Sequence, residues 1–507
     1  MKPKSIKTKS MKLRKLTQAI SLVLIASTTA QAAEFIVTTT GDSGGGSATE
    51  IATGVFEVDT LRSAIELADN EATFAGPDTI RFAPDLFTAG EAQINVNNIG
   101  DTYNTSLGSS NSAFGINSVI TIIGPTDDTL RLTAGNLRHF QLNGDAHLSI
   151  SHVTLEDGFA PPDFAGKGGA VLAIDDSVLT VSHCTFSTNQ ARQGGAVSID
   201  SNNSINQSSI EYSRFIDNHV TPSSSSVRVG GAVNIDTDNL PFLIRHSTFA
   251  NNTSDASGGA VFHSSELIVD SSSFYNNIAG GDGGAISGNN NGVLTLINST
   301  ISNNHSDSDG GGIDIGTEPG VGLNRIINST ITANQSGANS SPTIQQRLGD
   351  GVNFETSGGG IYAYGYLGED SLVIHNSIIT GNTETTAMLP DDVAALIQAD
   401  SSHNLIGAGD SVLGISDGVN GNQIGSRDVP ISADLAPLAD NGGLTLTQLP
   451  NLNSPVIDAG NDGLCESIDQ RGRIRPQDGD QDGTATCDIG AVELGPIEDL
   501  IFKDGFH

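Results

Sequence analysis

The sequence predicts an all-β chain wound into a parallel β-helix solenoid, with one short helix capping its N-terminal end. Three observations carry that prediction. Between Gly168 and Asn382 one pattern recurs seven times: a glycine pair with a small or aliphatic residue, a short apolar run, then an aromatic or aliphatic residue with asparagine three positions on. The closing asparagines (Asn189, Asn218, Asn252, Asn277, Asn304, Asn334 and Asn382) lie 29, 34, 25, 27, 30 and 48 residues apart, close to one solenoid turn with insertions. Aligned on the closing residue, the copies show apolar columns five positions earlier (Ile150, Val181, Ile210, Ile244, Val269) and seven earlier (Leu148, Leu179, Leu267). That alternation is the period of a strand.

The chain divides, in order, into a leader over 1–32, a cap with the first coils over 33–135, repeats over 136–408, a C-terminal module over 409–495 and a tail over 496–507. The leader has the three parts of a secretory signal: a basic head from Lys2 to Lys15, an apolar run from Ala19 to Ala26, and a small-x-small site at Ala30-Gln31-Ala32. Its apolar run is too short to span a bilayer, and no later segment is apolar enough. The expected location is therefore extracellular or cell-surface. Glu34 to Thr40 reads as a strand ended by a Gly/Ser turn. Thr60 to Asn70 reads as an amphipathic helix, with Leu61, Ala64, Ile65 and Ala68 on one side and Asp59 or Thr60 as cap. A lone helix before a β array suits a lid, because an open solenoid end exposes unpaired backbone and apolar side chains. Strands follow at Thr79 to Phe82, Ile94 to Asn97 and Val119 to Ile123.

Within the repeats, two further columns are polar. Three positions before the closing residue stand His152, His183, Tyr212, His246, Ser271, Asn298, Asn328 and Asn376; two before it stand Cys184, Ser213, Ser247, Ser272, Ser299, Ser329 and Ser377. Stacked at the strand spacing, such side chains are expected to bond their neighbours above and below, and Cys184 to fill a serine slot as an inert thiol. His152 and His183 stand without a third metal ligand at fixed spacing, so packing is their expected role. Insertions at 219–229, 335–357 and 387–403 emerge from the array, the last reading as a short helix.

The formal charge is −35, and beyond residue 32 sixteen basic residues face 58 acidic ones, a net of −42. Such a surface repels phosphate, which excludes nucleic acid as a partner and favours cations as counterions, calcium in particular. Cys465 and Cys487 share one segment and are candidates to pair in an oxidising compartment.

Gly-Gly-Ala/Ile with Phe-x-x-Asn resembles the repeat pair of chlamydial polymorphic outer-membrane proteins and related right-handed parallel β-helix proteins. The resemblance implies a right-handed coil and a surface adhesin. Thr60-Leu61-Arg62-Ser63-Ala64-Ile65 resembles the leader motif found on such proteins, departing from it at Asp59 and Ser63. Asn441-Gly442-Gly443-Leu444-Thr445, Ser454 to Gly460, Asp469-Gln470-Arg471-Gly472 and Cys487 to Ala491 are similar to the choice-of-anchor Q module of secreted bacterial β-helix proteins. These resemblances imply architecture and location, not a reaction.

Two constellations remain as candidate sites. Asp478-Gly479-Asp480-Gln481-Asp482-Gly483 alternates carboxylates before a glycine, like the first half of a calcium loop; position twelve is Ile489, and Asp488 is the candidate substitute. Asp200 and Asp236 follow their glycine pairs by the same number of residues, placing two carboxylates on adjacent rungs roughly 5 Å apart, the spacing of a retaining glycosidase. Asp175 falls one position out of register, and no basic group stands at matching spacing. The expected function is a non-catalytic binding or adhesion module for an extracellular glycan or cell-surface ligand, stabilised by calcium. The competing expectation is a polysaccharide lyase or glycoside hydrolase.

Overall fold

The computed structural model describes residues 32–495 apart from 106–107, 162–165, 202–205, 222–229, 238–239, 290, 317–320, 338–356, 365–371 and 386–387. The expected leader, except residue 32, and the tail over 496–507 lie outside these residues, as do large parts of the insertions at 219–229 and 335–357.

One rung shows why this sequence coils. Val171–Asp175, Val178–Ser182, Thr185–Ser187 and Gln190–Ala191 are four short strands separated by bends, and each pairs in parallel with the corresponding strand of the next rung. Repetition builds four faces, here numbered 1 to 4 in that order, with 12, 13, 12 and 8 strands. The fold is a right-handed parallel β-helix. Along each strand the alternate residues point inward, so Leu179, Val181, Phe186, Val197 and Ile199 are fully buried in a single core that runs from Ala33 to Ile406. Phe186, Phe215, Phe249 and Phe274 stack along that core with ring centroids 4.6–4.8 Å apart. Each such ring, fully buried, is worth about 1.5–3 kcal/mol in apolar transfer.

The bends explain the repeated polar letters. From His152 onward, faces 2 and 3 are joined through one left-handed residue per rung, such as His183 (φ 53°), and faces 3 and 4 through another, such as Thr188 (φ 53°). The first glycine of most pairs also takes positive φ, as at Gly168 (φ 57°), where a Cβ would lie 2.0 Å from the Val171 carbonyl oxygen. Inside the second bend the closing asparagines form a continuous ladder. The backbone N–H and Nδ2 of each donate to Oδ1 of the next, from Asn189 through Asn218, Asn252, Asn277, Asn304 and Asn334 to Asn382. Asp392 ends it by accepting both Asn382 donors. The serine column works similarly, each Oγ accepting the backbone N–H of the rung before, and Cys184 heads it. Burial pushes the Cys184 thiol up to about 12, which keeps it protonated.

The column that begins at His152 departs from expectation. Its residues carry the left-handed bend, so their side chains project outward and bond no neighbour through amide ladders. His152, His183, Tyr212 and His246 stack as rings, while Asn298, Asn328 and Asn376 reach the C-terminal segment. The insertion near 387–403 also differs: Leu389–Pro390 and Val393–Leu396 are strands, not a helix, because Val393, Ala394 and Ala395 continue the ladder on face 1.

Helix α1 (Leu61–Ala68) closes the N-terminal end, with the Thr60 hydroxyl accepting the Ser63 N–H as its cap and Leu61, Ala64, Ile65 and Ala68 buried. Face 1 begins beside it with an antiparallel hairpin of Asp101–Thr105 and Gly108–Ile116. At the other end the chain leaves the coil, turns back and lays residues 433–494 along face 3. Thr445, Gln470 and Ala491 bond there to Ser271, Thr300 and Thr330. Cys465 and Cys487 are joined in a disulfide, with Cα atoms 6.5 Å apart. No helix among the described residues is long and apolar enough to cross a membrane.

Candidate binding surface

Face 1 presents the two carboxylates singled out above. Ile174, Asp200 and Asp236 stand in one outward column on consecutive rungs, and Asp175 pairs instead with Ser201. Consecutive rungs are separated by about 4.8 Å, so the carboxylates are neighbours. A basic group is present after all: Lys167, the residue before the first glycine pair, sends its Nζ to Asp200 Oδ2. Sequence spacing missed it because its partner lies 33 positions on. The available signal was scarcity, since only Lys167 and Lys503 are lysines beyond residue 32. Asp236 Oδ1 accepts the Ser264 hydroxyl at 2.6 Å and opens on a cavity of about 460 Å³ with Thr237, Ser265, Glu266, Asn289 and Asn291 on its walls.

Carboxylates with the most displaced pKa values lie elsewhere and serve the fold. Burial raises Asp78 to about 6, Asp392 to about 7 and Asp488 to about 8. Each accepts backbone amides: Ala33 N–H on Asp78, Asn382 and Ala408 N–H on Asp392, Asp458 and Leu494 N–H on Asp488. None of them faces Asp200 or Asp236.

The acidic turn is assembled differently from its sequence pattern. One carboxylate oxygen each from Asp458, Asp478 and Asp480 lies within 4.8 Å of the others. Asp458 comes from the stretch before the disulfide and was not foreseen. Asp482 turns away, its Oδ1 accepting Thr484 N–H at 2.8 Å, and Asp488 lies buried beneath, bonded to backbone. Several oxygens of the trio already accept amides, from Asp480 and Thr486 on Asp458 and from Gly483 on Asp478. Asp478 Oδ1 is buried without a hydrogen-bond partner, a position a hard cation would satisfy.

Two rungs match a family model. Residues 246–264 and 271–289 match the Chlamydia polymorphic membrane protein repeat, a small part of the chain. Among solved structures, pectate lyase Pel9A is similar in fold, with 13% identity and a TM-score of 0.43, over 92% of this chain and 97% of that one. No curated protein matches in sequence.

Proposed function

We propose that this chain is an exported, cell-surface or extracellular binding module of adhesive type, with face 1 as its working surface. The carrying observation is how the repeats are used. Aliphatic, aromatic, serine and asparagine columns are spent on core and ladders, whereas face 1 keeps in-register carboxylates beside an open polar cavity. The leader read from residues 1–32 supports export, and the module read as choice-of-anchor Q-like supports a surface location. Calcium, held by Asp458, Asp478 and Asp480, is proposed as a stabilising counterion.

Lys167 beside Asp200 favours one second reading, a glycan-cleaving enzyme, because an amine and two carboxylates on adjacent rungs could share a proton. One experiment separates the two. The protein is incubated with neutral and acidic polysaccharides, with and without calcium, while retention and new chain ends are both measured. Retention without new ends is the expected result. New ends that vanish in Asp200→Ala would replace the adhesive reading by the enzymatic one.

A further inference from the structure

The column of Asp200 and Asp236 continues toward the N-terminal end, and there it enters a cleft. Ile116 pairs with Leu142 and Leu142 with Ala173, so Asn117, Asn143, Ile174, Asp200 and Asp236 follow one another along face 1. Over Asn117 and Asn143 the opening widens to about 720 Å³, between helix α1 on one side and the Asp101–Thr105 strand on the other. That volume is in the range of small-ligand sites.

Its floor is a set of fixed planar polar groups. Arg138 is fully buried and donates to the Ser110 and Ser112 hydroxyls, to the Lys167 and Gly168 carbonyls and, at 3.3 Å, to Gln141 Oε1. Because Gln141 Oε1 faces a guanidinium, its Nε2 must face the cleft, where it donates to Asn143 Oδ1 at 2.8 Å and Asp101 Oδ2 at 3.3 Å. Asn143 Nδ2 also donates to Asp101 Oδ2, at 2.6 Å. Asp101 fits only because residue 115 is glycine: a Cβ there would lie 2.8 Å from Asp101 Oδ2. Tyr103 and Ile174 add apolar surface to the walls.

From this geometry we infer that the cleft is a binding site for a neutral, hydroxyl-rich carbohydrate chain running along face 1. The amides and the carboxylate hold one another in place and leave acceptor lone pairs at Asp101 and Asn143, which the hydroxyl donors of a sugar match, while Tyr103 and Ile174 suit the C–H face of a sugar ring. Charge selects against the other classes. Asp101, Asp69 and Glu66 line the cleft, and the Arg62 guanidinium on its wall is neutralised by Asp42 and bonded to the Ala113 and Asn98 carbonyls, so a polyanion is repelled. A cation gains less than the acid count suggests, since Asp69 already accepts from Asn117 and Ser118, and Glu66 from Gly45. The inference rests on the reading of face 1 as the working surface and adds to it a site and a ligand class.

Electrophoresis of the protein through gels containing neutral polysaccharides (xyloglucan, galactomannan, mixed-linkage glucan) or acidic ones (polygalacturonate, alginate) tests it. Expected is retardation by a neutral polymer, unchanged from about 0.05 to about 0.5 M salt and weakened about tenfold or more in Tyr103→Ala and in Asn143→Ala. Gly115→Ala, which pushes Asp101 from its place, should weaken it as well, and melting curves of all three variants confirm that they fold. Retardation confined to acidic polymers, or abolished by salt, overturns the ligand class. Loss in Asp236→Ala with full retention in Tyr103→Ala overturns the cleft while leaving face 1 as a binding surface. Surface binding to other materials with no retardation by any neutral polymer overturns the inference alone.

Discussion

At the bend between faces 2 and 3 each rung from His152 onward places one residue in the left-handed region, and the column so formed changes character along the rod. In the N-terminal half it is His152, His183, Tyr212 and His246, with ring centroids 4.8–4.9 Å apart and with Tyr212 37% exposed. In the C-terminal half it is Ser271, Asn298, Asn328 and Asn376 before a last ring at His403, and the segment from 433 to 494 lies over the three asparagines. Asn298 Nδ2 donates to the Ile468 carbonyl, Asn328 Oδ1 accepts Glu466 N–H, and Asn376 bonds Asn461 through both its amide atoms. Backbone geometry is the same in both halves. What differs is the cover. Asparagine and histidine both tolerate positive φ better than most residues; an asparagine amide can bond a covering backbone, whereas the rings of the uncovered half gain from stacking on one another.

The largest effect that would test this contrast comes from the disulfide. Cys465→Ser with Cys487→Ser opens a crosslink of 22-residue separation, which on loop entropy alone is worth about 3 kcal/mol. Trypsin should then cut at Arg471 or Arg473 while the rod up to Asp270 stays resistant. Simultaneous digestion of the rod would show that the two halves are one cooperative unit. Next in size is a pair of substitutions in the same column. Asn328→Ala leaves the half-buried Glu466 N–H unpaired and should cost about 2 kcal/mol, against about 0.5 kcal/mol for His183→Ala on the uncovered half. Equal shifts in denaturant midpoint would mean that cover does not set the column.

The two halves should also respond oppositely to pH. Under the covering segment Asp488 has its pKa raised by burial, then by the Glu493 charge, to about 8, with Arg475 opposing. A carboxyl whose folded pKa exceeds its unfolded value stabilises fully below about 4 and loses that contribution as pH rises through about 8. In the N-terminal half His139 is fully buried, its ring bonded to the Leu132 carbonyl, and burial lowers it to about 4. Its contribution is present above about 6.5 and lost as pH falls through about 4. Proteolysis of the covering segment is therefore expected to accelerate from about pH 5 to about pH 8, and Asp488→Asn to flatten that rise. Amide protection factors in the first rungs should instead fall below pH 6. A common pH profile for both regions would remove the distinction.

How much of this was legible depends on what repeats. Ile150, Val181 and Phe186 recur at fixed offsets, so strands, register and core could be read directly, and Asp200 and Asp236 fell on adjacent rungs as their spacing required. The side-chain ladder was assigned partly to the wrong column, because a periodic letter shows that a position is constrained but not whether it points in or out; the left-handed φ at His183 decides that. Lys167, Asp458 and the cleft around Asp101 and Asn143 were out of reach for another reason. Each is brought to its neighbours by a loop, hairpin or returning segment that occurs once. The short helix expected near 387–403 failed on Val393 to Leu396, four residues whose apolar run fits a buried strand as well as a helix.

The smallest expected effect concerns the acidic turn on the covering segment, which has no counterpart among the described residues of the uncovered half. Asp458, Asp478 and Asp480 offer three carboxylates, but backbone amides hold several of their oxygens, so a cation gains mainly at Asp478 Oδ1 and by relieving repulsion within the trio. Affinity should then be of the weak, extracellular kind, near millimolar. At about tenfold excess over such a Kd, mass action adds roughly 1.4 kcal/mol to the part that binds. Calcium should raise the melting temperature of the covering segment by about 6–10 °C and leave the rod unchanged, and Asp480→Asn should abolish the increment. Identical melting with calcium and with chelator would mean that the trio is held by its amides alone, and that the covering segment owes its place to the disulfide and to Asn298, Asn328 and Asn376.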